Sequence, residues 1–103
     1  MNMRGIVIDP GKAPEICKLP NDSQGLERWL GGPVHMRPFG QHPAAPLHTN
    51  AAGQDLPNRH YLDRWYYGRL IIVGYKNCRL MPLPQELAEQ LAEQFAPVEV
   101  ARL

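Results

Sequence analysis

The chain has 103 residues, 44% hydrophobic and 20% charged, with a formal net charge of +1. This suits one globular domain with a core of its own and excludes wholesale disorder. No stretch approaches the run of about 20 apolar residues that crosses a bilayer, so a soluble, unsecreted protein without a membrane partner is expected. Cys17 and Cys78 stand in no CxxC pair and read as buried, reduced thiols. Eleven prolines and nine glycines predict short elements joined by many turns.

Residues 4–8 form a β-branched run, stopped by Asp9-Pro10-Gly11-Lys12, whose Pro and Gly suit a tight turn. Residues 14–19 alternate polar and apolar, which predicts a second strand folded back as a hairpin. Asn21 or Asp22 can cap a helix through Leu26, Trp29 and Leu30, and Gly31-Gly32 ends it. Residues 33–39 alternate again between prolines, the pattern of a strand at a sheet edge. Residues 40–58 lose regularity, and only residues 47–50 read as a brief strand inside a long irregular central loop.

Residues 69–74 are the most apolar run, and four consecutive apolar residues suit a central strand covered on both faces. Pro84 then opens a helix in which Leu87, Leu91 and Phe95 recur at four-residue steps while Glu86, Glu89 and Glu93 face water. The expected fold class is α+β: a small, mostly antiparallel sheet with two helices packed on one side. Residues 1–96 form the single domain, and 97–103 are a tail.

The charge is sorted along the chain. Residues 59–79 hold all four tyrosines, one of the two tryptophans and five basic residues against one acid, Asp63; residues 80–103 carry one base against four acids. Guanidinium groups fork onto anionic oxygens and aromatic faces take flat rings, so the middle segment suits a phosphate-bearing, ring-containing ligand. A net charge of +1 falls short of a polyanion binder, which ranks nucleic acid below a nucleotide-sized ligand.

Two candidate sets follow. Asn58 and Arg59 place an amide beside a guanidinium, able to fork onto a phosphate while reading a neighbouring hydroxyl or base edge. The competing reading makes Asn58 the end of a turn begun by Pro57, and Arg59 a partner of Asp63. Arg64, Trp65, Tyr66 and Arg69 form the second set, with an aromatic edge of the core or a dimer seam as its alternative. In an extended segment Trp65, Tyr67 and Arg69 share one face, with Arg64 and Tyr66 on the other, unless the chain turns there.

Catalytic signatures are not found: no HExxH, GxSxG or P-loop, and no carboxylate pair at a recognisable spacing. His42, His48 and His60 with a cysteine would have no standard zinc spacing. The expectation is therefore a non-catalytic protein with no cofactor and no metal.

The order of landmarks resembles the phage- and mobile-element-borne family known as domain of unknown function 3846. The resemblance runs from Gly5 to about Phe95. It rests on Ile8-Asp9-Pro10-Gly11-Lys12, Leu30-Gly31-Gly32-Pro33-Val34, Leu56-Pro57-Asn58-Arg59, and Gly68-Arg69-Leu70-Ile71-Ile72-Val73-Gly74 followed by the helix of residues 83–94. It implies a small accessory protein acting in the cytoplasm of a bacterial host, a setting rich in counter-defence proteins. The expected function is a sequestering protein for a small anionic nucleotide-like ligand, with a homodimer as an additional partner. The alternative is an inhibitor that grips a host protein through Trp65, Tyr66 and Tyr67.

Overall fold

The computed structural model describes residues 2–36, 44–48, 57–61 and 64–97; of residues 48, 57, 59–61, 64 and 65 it describes the backbone alone. The fold is α+β, with a mostly antiparallel sheet and two helices. Strands β1 (Asn2–Ile8) and β2 (Glu15–Pro20) form the expected hairpin. Its turn is closed by Lys12 N–H donating to the Asp9 carbonyl at 3.1 Å, with Gly11 at φ 75°, the pattern of a type II turn with Pro at its second position and Gly at its third.

Helix α1 (Ser23–Leu30) starts where the Asp22 carboxylate accepts the Gly25 N–H at 2.6 Å. It stops at Gly31, whose φ of 84° lies where a side chain is unfavourable, and the Gly31 and Gly32 N–H groups both donate to the Glu27 carbonyl. Strand β3 (His35–Met36) is an edge strand, as its flanking prolines predict. Strands β4 (Ala44–His48), β5 (Pro57–Tyr61), β6 (Arg64–Tyr67), β7 (Leu70–Lys76) and β8 (Arg79–Met81) follow, and α2 (Gln85–Gln94) closes the described chain.

The main sheet runs β2-β1-β7-β4-β3, with β8 paired to β7; β5 and β6 form a separate two-stranded ribbon. β7 is central, between β1 (Ile6↔Ile72) and β4 (Pro46↔Ile72). Its residues from Leu70 to Gly74 are all buried, as a strand covered on both faces requires.

The helices lie on opposite faces of the sheet, which corrects the expectation of two helices on one side. Alternate residues of β1 and β7 supply two separate apolar clusters. Ile6, Ile8, Leu70 and Ile72 pack with Ala88, Leu91 and Phe95 of the α2 segment, whereas Met3, Val7, Ile71 and Val73 pack with Leu26 of α1. Helices on one face would leave Val7, Ile71 and Val73 in water, forfeiting about 1.5–3 kcal/mol for each large aliphatic side chain. α2 is fixed to its face by two contacts: Leu83 N–H donates to the Arg4 carbonyl at 2.9 Å, and Arg4 Nη1 donates to the Leu83 carbonyl at 3.1 Å.

Two further corrections and one addition concern local elements. β4 begins at Ala44 and carries Pro46 opposite Ile72 in the body of the sheet, where a proline-rich loop was expected. Thr49 and Asn50, assigned to that strand from the sequence, lie outside the described residues, as do residues 37–39. Asn58 belongs to a strand rather than a turn: Pro57 pairs with Tyr67 and Arg59 with Tyr66, so Asn58 is the extra residue of a β-bulge. Finally, Leu80 and Met81 continue a hairpin from β7 through Asn77 (φ 53°) and Cys78 (φ 61°), the two left-handed residues of a type I′ turn.

Candidate functional site

Beyond the Ile8↔Leu70 pair the next residues across β1 and β7 are Asp9 and Arg69. Alternation puts both on the face that α1 covers, alongside Val7 and Ile71. The consequence is a bidentate ion pair: Arg69 Nε donates to Asp9 Oδ1 at 2.8 Å and Nη2 to Oδ2 at 3.4 Å. Nη1 donates to the Trp29 carbonyl of α1 at 3.2 Å, and the guanidinium carbon sits 5.7 Å from the Trp29 ring centroid, within cation–π range. One arginine thereby ties the β1 turn, the start of β7 and the end of α1 together.

The pair is held from beneath by a buried amide. Asn58 is fully buried, and its Nδ2 donates at 2.7 Å to both the Ile8 and the Gly68 carbonyls. Ile8 immediately precedes Asp9 and Gly68 immediately precedes Arg69, so a single side chain sets the positions of both charged residues. The bulge that adds Asn58 to β5 is what frees its side chain to point inward.

Pro20, Gly25, Arg28, Trp29 and Arg69 line a groove of about 480 Å³ beside this pair. Trp29 is 38% exposed. Arg28 is exposed in the last turn of α1 and makes no hydrogen bond or ion pair among the described residues. The groove thus presents a free guanidinium, an indole and a guanidinium already neutralised by a carboxylate. Two other hollows have different chemistry. One, of about 400 Å³, is lined mainly by Leu26, Val34, Met36, Leu47, Tyr75 and Leu80; the other, of about 390 Å³, includes Arg4, Lys18 and Cys17.

The six residues singled out from the sequence take different places. Arg69 lines the groove. Asn58 lies beneath it, closed to solvent, and Tyr66 is 5% exposed within the α2-side core. The side chains of Arg59, Arg64 and Trp65 lie outside the described residues, their backbones being paired in the β5–β6 ribbon. The chain does turn between Tyr66 and Arg69: β6 ends at Tyr67, and Gly68 has φ 71°, so strand alternation does not carry through to Arg69. Arg28 and Trp29 were missed. Their signal was present as a cation beside an aromatic ring, but the helical period read Trp29 as core. Asp9 was likewise read only as a turn residue.

Among the described residues no three His, Cys, Asp or Glu side chains gather as a metal site would require; His42 lies outside them. No helix among the described residues is long and apolar enough to cross a membrane. Cys17 is half-buried and Cys78 exposed, which corrects the expectation of two buried thiols; partial burial, reinforced by Glu15, pushes the Cys17 thiol above its ordinary range, with Arg69 opposing. A hydrogen bond to Cys78 raises the Tyr75 hydroxyl. No protein-family model matches this chain, and comparison with curated proteins and with solved structures returns no match.

Proposed function

We propose that this protein binds a small anionic nucleotide-like ligand in the groove of Arg28, Trp29 and Arg69, and holds it without transforming it. The observation that carries this reading is the exposed Arg28, without an ion pair among the described residues, beside a part-exposed Trp29 whose ring lies against Arg69. An indole gives a flat ring a stacking surface, and a free guanidinium gives a phosphate a forked partner. The groove measures about 480 Å³ and lies largely open to solvent. Arg69 supplies rigidity more than charge, since three of its donors are already engaged.

The role we propose for such binding is counter-defence, as sequestration of a host nucleotide signal, which is what the sequence's resemblance to a phage-type accessory family implies. The test is to release small molecules by heat from protein purified out of cells, identify them by mass spectrometry, and titrate the identified compound back by calorimetry. A nucleotide-like mass near one per chain, whose affinity falls in Arg28→Ala and Trp29→Ala, is the expected result. An empty protein that ignores a panel of mono-, di- and cyclic nucleotides overturns the reading.

A further inference from the structure

Arg28 and Arg69 are the ionisable side chains lining the groove. Asp9 cancels one of them. We infer that Asp9 is the specificity-determining residue of this groove, restricting it to nucleotides that carry a single negative charge, phosphodiesters rather than terminal phosphate esters. This rests on the ligand-binding reading above.

Geometry fixes the charge that the groove offers. Asp9 takes the Nε and Nη2 edge of Arg69, while Nη1 is turned to the Trp29 carbonyl. The nearby Asp22 carboxylate is turned to the Gly25 N–H at the start of α1, so among the described residues lining the groove a phosphate finds one unmatched guanidinium, that of Arg28. A phosphodiester, such as a cyclic nucleotide, carries one negative charge and matches it. A terminal phosphate ester carries about −1.5 to −2 near pH 7. Its excess charge meets the Asp9 carboxylate with no further cation among the described groove-lining residues to offset it, in a partly exposed setting where the effective dielectric is well below that of water.

The backbone that carries Asp9 is held in place. Its carbonyl accepts the Lys12 N–H in the turn, and Asn58 fixes the Ile8 carbonyl just before it. The same amide fixes the Gly68 carbonyl just before Arg69, so the backbone at neither end of the ion pair can shift alone without breaking an Asn58 hydrogen bond. The carboxylate acts as a built-in anion, occupying the fork that a second ligand charge would need.

Adenosine 3′,5′-cyclic monophosphate and adenosine 5′-monophosphate share a base and differ in phosphate charge, and calorimetry reads both. The wild-type protein is expected to prefer the cyclic nucleotide by about tenfold, the scale of one elementary charge at a part-exposed site. Asp9→Asn should raise affinity for the monoester more than for the diester and erase the preference. Asp9→Glu, which keeps the charge, should retain it and serves as the folded control if the amide variant is unstable. An unchanged ratio in Asp9→Asn, or a ratio lost equally in Asp9→Glu, overturns the inference while leaving the groove intact. Binding that ignores Arg28→Ala and Trp29→Ala overturns the groove reading instead. If neither nucleotide binds any variant at millimolar concentration, both fall.

Discussion

Replacing Asn58 tests whether one buried amide joins the two sheets. In Asn58→Leu the number and branching of side-chain heavy atoms are kept, but both donors vanish, leaving the Ile8 and Gly68 carbonyls without their 2.7 Å partners. An unsatisfied buried polar group costs about 1–3 kcal/mol. The bond to Ile8 is buried, so the upper half of that range applies there; Gly68 is half-buried and water can replace part of its loss. The expected total is about 3 kcal/mol, a large share of the roughly 5–15 kcal/mol that holds a domain together.

Asn58→Asp should cost more at neutral pH, because it aims a carboxylate at two carbonyl oxygens in the interior. Burial without donors raises the folded pKa of the introduced acid above its unfolded value. The variant's deficit relative to wild type should therefore shrink as pH falls towards the ordinary carboxylate range and grow as pH rises. Urea unfolding followed by tryptophan fluorescence and far-ultraviolet circular dichroism reads both effects. A loss under about 1 kcal/mol in Asn58→Leu at unchanged denaturant slope, or a deficit in Asn58→Asp that does not depend on pH, would refute the reasoning.

Other expectations concern the thiols. Cys78 occupies the second left-handed position of a type I′ turn (φ 61°), where glycine is the favoured residue. Cys78→Gly should stabilise the protein by about 1 kcal/mol and raise the melting temperature by roughly 4–8 °C; an unchanged or lower melting temperature contradicts the strain. Cys17 is held protonated above its ordinary value of 9.0, chiefly by burial. Its contribution is full below that value and is lost as pH rises through the raised folded value. Stability should thus decline above about pH 9, and less steeply in Cys17→Ala when urea midpoints are compared across pH. Some decline should persist in that variant, since Tyr75 is shifted in the same direction.

Periodicity made much of this fold readable. The β1–β2 hairpin, the capped α1, the apolar β7 and the striped α2 each carry their signal within a few adjacent residues. The same reading of Leu70 to Val73 as covered on both faces implied that the helices divide between the faces, although the expectation put them together. β4 was only partly legible, because Ala44, Ala45 and Pro46 are strand-forming only through their neighbour β7; a proline there looks like a loop until its partner is known. β5 and β6 were hidden for a different reason. Their residues are polar or aromatic without alternation, and the bulge at Asn58 breaks the two-residue period. The candidate site was least legible. Asp9, Trp29 and Arg69 meet across long sequence separations, so no local pattern records their contact, whereas Arg28 beside Trp29 is visible in sequence but hidden by the helix period that explains Leu26.

The central pairing has a kinetic side. Ile6 of the first strand lies against Ile72, and most of the chain stands between them. During synthesis β1 and β2 can close their hairpin early, yet an isolated hairpin is only marginally stable in water. The strand that buries both of its faces emerges late, and until it arrives the apolar residues of β1 have no second sheet neighbour. Loop closure over that distance must precede the contacts that reward it, which sets folding on the order of milliseconds to seconds, slower than in a helical bundle of equal size. A chain released before residue 70 would expose Ile6, Val7 and Ile8 along an unpaired edge, so the interval before β7 docks is the time at which this protein is most prone to aggregate.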